Sequence, residues 1–137
     1  MRYLTVIVLL LVLSGLVFAK MKLDKKTGSL NPLETGEIIP NVYAIKDQKV
    51  NMYAAKVNGQ FIAFDAGDHP RLVRRELQKL GIDPEKFTDV FLTHSHQDHS
   101  GALEVFSNAK IHISKEEADY LNDERNPMRS FFLNLRN

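Results

Sequence analysis

Thr93-His94-Ser95-His96-Gln97-Asp98-His99-Ser100-Gly101 is the most telling stretch of this chain of 137 residues. Three of the five histidines and one carboxylate fall within positions 94–99, directly after the apolar run Val90-Phe91-Leu92. Neutral imidazole nitrogens and carboxylate oxygens are the donors a zinc-like ion prefers. Packing does not explain so dense a polar cluster at a strand end. A closed structural zinc site leans on cysteine, and the chain has none. In extended backbone the side chains at i, i+2 and i+4 share one side, so His94, His96 and Asp98 can face the same way. A turn after Gln97, eased by Gly101, would instead send His94 and His96 to one metal and Asp98 and His99 to a second nearby. Two ions a few ångströms apart would clamp both the attacking and the leaving oxygen of a hydrolysis.

Upstream, the run Phe61-Ile62-Ala63-Phe64 ends in Asp65-Ala66-Gly67. An acid closing an apolar strand is placed to reach the histidine loop and to hydrogen-bond a ligand or a backbone N–H. An Asx turn ahead of Pro70 would explain the same residues. Around this pair the chain changes period. Ile38 to Ile45 is a β-type run in which Pro40 marks an edge or a bulge. Val50–Val57 and Gln60–Phe64 flank Asn58-Gly59, the strongest short hairpin signal, since both residues tolerate positive φ. Pro70 opens a helix carrying Val73, Leu77 and Leu80 at helical spacing, and Gly81 sits at its end. Asp83-Pro84-Glu85 is a turn, Asp89–Thr93 a buried strand, Ser100–Phe106 a short helix and Lys110–Ser114 a strand. Ser114 and Glu117 form a capping box for a helix to about Leu121. Phe131, Phe132 and Leu135 make an apolar helical face. A hairpin sheet followed by helix–strand units is mixed α/β, and the histidine cluster lies at the carboxyl end of a strand, where such sheets place their sites.

Asp65-Ala66-Gly67 followed by the H-x-H-x-D-H pattern of residues 94–99 resembles the metallo-β-lactamase superfamily across roughly Glu37 to Leu121. The resemblance implies an αββα sandwich and a metal-dependent hydrolase, usually with zinc, two ions or other divalent metals. It implies that His94 and His96 hold the first metal, that Asp98 and His99 hold the second, that Asp98 orients the nucleophilic water, and that Asp65 supports the loop. The second half of that fold supplies another histidine, a bridging aspartate and a final histidine. The one histidine after His99 is His112, too early for that role and read as a strand residue; His69, beside Pro70, is read as a loop residue. Residues 37–137 are therefore expected to be the N-terminal half of such a domain, with a missing C-terminal half as partner. Half a sandwich is expected to expose the sheet face that should meet the other half.

The remainder bounds compartment and partner. Arg2, the apolar run Tyr3–Leu13 and Val17-Phe18-Ala19 have the layout of a secretory signal peptide over residues 1–19, cleaved after Ala19. The alternative is an uncleaved anchor helix, short for a bilayer span of roughly 20 residues. Either way the domain is expected outside the cytoplasm, secreted or periplasmic, or held on the membrane by residues 3–19. Residues 20–36, with Gly28, Pro32 and Gly36, read as a linker. Net charge is +1, and 44% of residues are apolar. That balance is globular and argues against a nucleic-acid binder, which shows a basic face. The expected partner is a small-molecule substrate carrying an ester, lactone, thioester or lactam bond. The alternative is a non-catalytic half-domain that binds metal weakly or pairs with a separate C-terminal half.

Overall fold

A computed structural model of the chain describes residues 31–123. The chain divides into residues 1–31 and residues 32–137, and the elements below belong to the second unit. The signal or anchor segment, most of the 20–36 linker and the Phe131–Leu135 face lie outside the described residues. No helix among the described residues is long and apolar enough to cross a membrane.

Six strands form one sheet in chain order: β1 (Gly36–Ile39), β2 (Val42–Asp47), β3 (Val50–Val57), β4 (Gln60–Phe64), β5 (Phe87–Phe91) and β6 (Lys110–His112). β1 to β4 run antiparallel, whereas β4–β5 and β5–β6 are parallel. Antiparallel neighbours need only tight turns, and Asn58 (φ 52°) and Gly59 (φ 83°) supply one as expected. Parallel neighbours need crossovers. Helix α1 (Pro70–Lys79) makes the first. The second runs through the single turn α2 (Gln97–Ser100) and a 3-10 segment, Leu103–Phe106, and helix α3 (Lys115–Asn122) follows β6.

Three expectations are corrected. The Ile38–Ile45 run is a hairpin and not one strand: Ile39 pairs with Val42, and Asn41 takes φ 64°. Pro40 cannot donate to a ladder and Asn41 tolerates the left-handed region, so the chain reverses there. Ser100–Phe106 is not one helix. The amide of Ala102 donates to Gly67 O at 2.9 Å, away from its own helix, and this tertiary bond ends α2. Residues 31–36 are not free of the sheet either: Asn51 bonds the backbone of Leu33, Thr35 Oγ1 accepts from Lys46 N, and Gly36 opens β1.

The core lies on one face of the sheet. Ile45, Met52, Ala54, Phe61, Ala63, Phe87 and Val90 meet Val73 and Leu77 of α1, together with Leu103, Val105 and Phe106. Phe87 packs edge-on to Phe106 with ring centroids 4.8 Å apart, a favoured aromatic geometry. The opposite face carries Val42, Ala44, Ala55, Ile62 and Phe64. All five are buried. Toward its β6 edge, Phe64 stacks on Phe91 at 5.8 Å and Phe91 on His112 at 4.4 Å, so the rings cover one another.

Candidate metal centre

The parallel register sets Phe64 beside Phe91, so β4 and β5 end together and both following loops leave the same edge of the sheet. This places Asp65 against residues 93–99. Asp65 takes φ 58°, a left-handed conformation that short polar side chains tolerate best, and its amide donates to Phe91 O. The turn swings its carboxylate across to the histidine loop. Oδ1 accepts from Thr93 N at 2.8 Å, and Oδ2 pairs with His99 Nδ1 at 2.7 Å. Thr93 Oγ1 lies 2.9 Å from Oδ1 and 3.0 Å from His94 Nδ1. A hydroxyl has one proton. Given to the carboxylate, it leaves Oγ1 to accept from His94 Nδ1–H. One carboxylate thus sets two imidazoles, His99 directly and His94 through Thr93, leaving Nε2 of each available as a donor atom. This pattern is what orients metal-binding histidines.

His94, His96 and Asp98 each offer one donor atom, and these atoms lie within 4.8 Å of one another. Small side-chain rotations would bring them to the ~3.4 Å spacing of donors around a tetrahedral ion. The chain turns into α2 at Gln97, so strand alternation reaches only His94 and His96, and Asp98 joins them from the first turn of the helix. His96 is the N-cap of α2, but its imidazole makes no cap bond and stays in the cluster. His99 is turned toward the same place. Its ring centroid is 4.0 Å from that of His94, and its Nε2 is 3.5 Å from Asp98 Oδ2. His99 therefore lies against both His94 and Asp98. His96 and Asp98 are exposed and His94 half-buried, so the cluster opens to solvent. Burial, followed by the neighbouring His99 and His96, lowers the His94 pKa and favours its neutral form. The Asp65 hydrogen bond raises that of His99.

Other predicted and unpredicted residues complete the picture. His112 stands apart: its Nε2 pairs with Asp89 Oδ1 at 2.7 Å across β5 and β6. His69 caps α1 and bonds Asp47 and Gln48. Sequence reasoning missed three supports. Asp47, 1% exposed, accepts from the backbone amides of Asp68 and His69. Asp68 Oδ1 in turn holds the Gln97 amide group at 3.0 Å. Glu117, read as half of a capping box, receives Ser95 instead. Ser114 does cap α3, but the Glu117 carboxylate accepts from Ser95 N at 2.9 Å and Ser95 Oγ at 2.5 Å. Only the long-range fold shows these contacts; a carboxylate closing a strand or opening a helix was their sole local sign.

Solved structures share this architecture. A metallo-β-lactamase of Cronobacter sakazakii with a HARLDQ motif superposes with a TM-score of 0.59 at 20% identity, over 67% of this chain and 35% of that one. A subclass B3 metallo-β-lactamase of Bradyrhizobium japonicum gives 0.60 at 22% identity, over 72% and 41% respectively. Among curated proteins, the ribonuclease Z of Pyrococcus abyssi is 36% identical over 67 residues, 49% of this chain and 20% of that protein. The chain thus spans well under half the length of each of these relatives. The sheet is shared with the solved relatives, and the family model of the metallo-β-lactamase superfamily matches residues 45–134, which hold Asp65 and the whole histidine loop; the chain belongs to that superfamily.

Proposed function

We propose that this chain carries the metal-holding part of an exported, zinc-dependent hydrolase that cleaves an ester, lactone, thioester or lactam bond of a small molecule. The convergence of His94, His96 and Asp98 on one solvent-facing loop carries this reading. The donor set fits the ion: two imidazoles and a carboxylate suit zinc, and three protein donors leave a catalytic zinc one open position. His99 Nε2, beside Asp98, is placed to serve a second ion. When bound, such ions supply Lewis-acid polarisation of the substrate and a lowered pKa for the attacking water. The chain's own residues do the rest. Asp98 would orient the attacking water and accept its proton. Asp65 and Thr93 hold the imidazoles of His94 and His99 in the tautomers that leave Nε2 bare.

In the protein as its own gene encodes it, His96→Ala and Asp98→Asn are expected to abolish turnover across a panel of ester, lactone, thioester and β-lactam substrates. Asp65→Ala should cost about 10–100-fold, as loss of an outer support does. His112→Ala should leave turnover unchanged. Equal damage from His112→Ala and His96→Ala would overturn the ligand set. A second reading, a metal-holding unit that pairs with a separate polypeptide, draws on the 35–41% coverage of the solved relatives. It predicts zinc binding by this chain without turnover. Export rests on Arg2, Tyr3–Leu13 and Val17-Phe18-Ala19. N-terminal sequencing of the exported protein is expected to start at Lys20, and an intact Met1 in the membrane fraction would favour the anchor.

A further inference from the structure

Ser95 sits between two of the three clustered donors and points the other way. In extended backbone His94 and His96 turn to one side and the residue between them to the opposite side. On that opposite side stands α3. Ser95 is 2% exposed, yet every polar atom it has is used: N and Oγ donate to Glu117 Oε2, and its carbonyl accepts from Ser100 Oγ at 3.1 Å. A buried serine with both donors on one carboxylate has one backbone position open to it, because displacement would leave buried polar groups unpaired. The flanking imidazoles inherit that position. Asp65 grips the same loop from β4 by Thr93 and His99, so Glu117 is the opposing grip, from an element 22 residues further along the chain.

We propose that Glu117 is a positioning residue for the metal loop: by accepting both Ser95 donors it fixes the backbone between His94 and His96 and so their spacing as a donor pair. This rests on the metal-holding reading above. The proposed role belongs to the two accepted hydrogen bonds, not to the charge. Glutamine, which keeps an acceptor oxygen at the same reach, should therefore serve where alanine does not.

The test is titration of the full 137-residue chain with cobalt(II) alone, followed by its visible absorption, with circular dichroism as a check on folding. Glu117→Ala is expected to weaken cobalt affinity about 10–100-fold, the range for loss of outer-shell partners, with an altered absorption band. Glu117→Gln is expected to return to within about threefold of the parent. Parental affinity and spectrum in Glu117→Ala would overturn the proposal, as would a Gln variant no better than Ala. Should Glu117→Ala not fold, Ser95→Ala removes only the hydroxyl arm: affinity at least about threefold weaker supports the proposal, and an unchanged value overturns it. His96→Ala separates the two readings. If the parent binds no cobalt, or His96→Ala binds as well as the parent, the metal reading falls and this inference with it. If His96→Ala loses cobalt while Glu117→Ala keeps it, this inference alone falls.

Discussion

Five carboxylates decide what the histidines can do. Asp65 and Glu117 grip the histidine loop, Asp68 and Asp47 brace it from the preceding turn, and Asp89 draws His112 away from it. The Asp89–His112 pair has a consequence for acid stability. The His112 hydrogen bond lowers the Asp89 pKa from its ordinary 3.8, with Thr88 and Lys110 adding to the shift and partial burial opposing it. A carboxyl depressed in the folded state contributes stability that is complete above 3.8 and is lost as pH falls through the lower folded value. Asp89→Asn is therefore expected to flatten the fall in melting temperature below pH ~4 while costing a little at neutral pH, where the variant lacks the carboxylate that His112 bonds. Melting curves of parent and variant from pH 2 to 7 check this. An unaltered acid limb would show that the pair is too exposed to matter. The ligand-type residues were legible in the sequence because they are contiguous and chemically distinctive. Their supports were not, because an aspartate such as Asp47 at a strand end reads as an ordinary turn residue until the turn it braces has been placed.

At the scale of elements, hydrophobic period and turn chemistry brought out the hairpin at Asn58-Gly59, helix α1 and, two residues later in the chain than it lies, strand β5. They failed where tertiary contact overrode them. Pro40-Asn41 reads as an irregularity inside one apolar run, yet it reverses the chain. The 100–106 stretch has helical spacing, yet Ala102 N is captured by Gly67 O. Gly67 is the tightest of these junctions. It takes φ 81°, and a Cβ there would stand 2.7 Å from Asp47 Oδ2 and 3.1 Å from Val73. Left-handed backbone alone costs an ordinary residue roughly 1–2 kcal/mol. The added methyl would also push Asp47 off the amides it accepts. Gly67→Ala is expected to destabilise by about 2–4 kcal/mol in urea unfolding, combining that strain with a disturbed buried hydrogen-bond acceptor. A loss below ~1 kcal/mol would mean that the turn relaxes freely.

For the molecule as a whole, mixed α/β architecture followed from the order of the runs, since a hairpin meander and then helix-linked strands admit few sheets. One asymmetry of the centre carries further. All three clustered donors come from five consecutive residues, His94 to Asp98, whereas the carboxylates that hold their stretch of chain bond it across 22 to 29 positions. Chelation is local and can precede folding; aim is non-local and arrives only when β4, β5 and α3 have docked, since distant contacts carry the loop-closure cost. Zinc therefore has a foothold on the unfolded polypeptide as well, which reduces the net stabilisation that binding confers on the native state. Refolding from urea is expected to run slower in excess zinc than in chelator, with the same final spectrum. Equal rates would show that the free chain does not capture the ion. A cell making this protein would then do best to deliver metal after the chain has collapsed, so that the ion arrives last in the assembly of its own site.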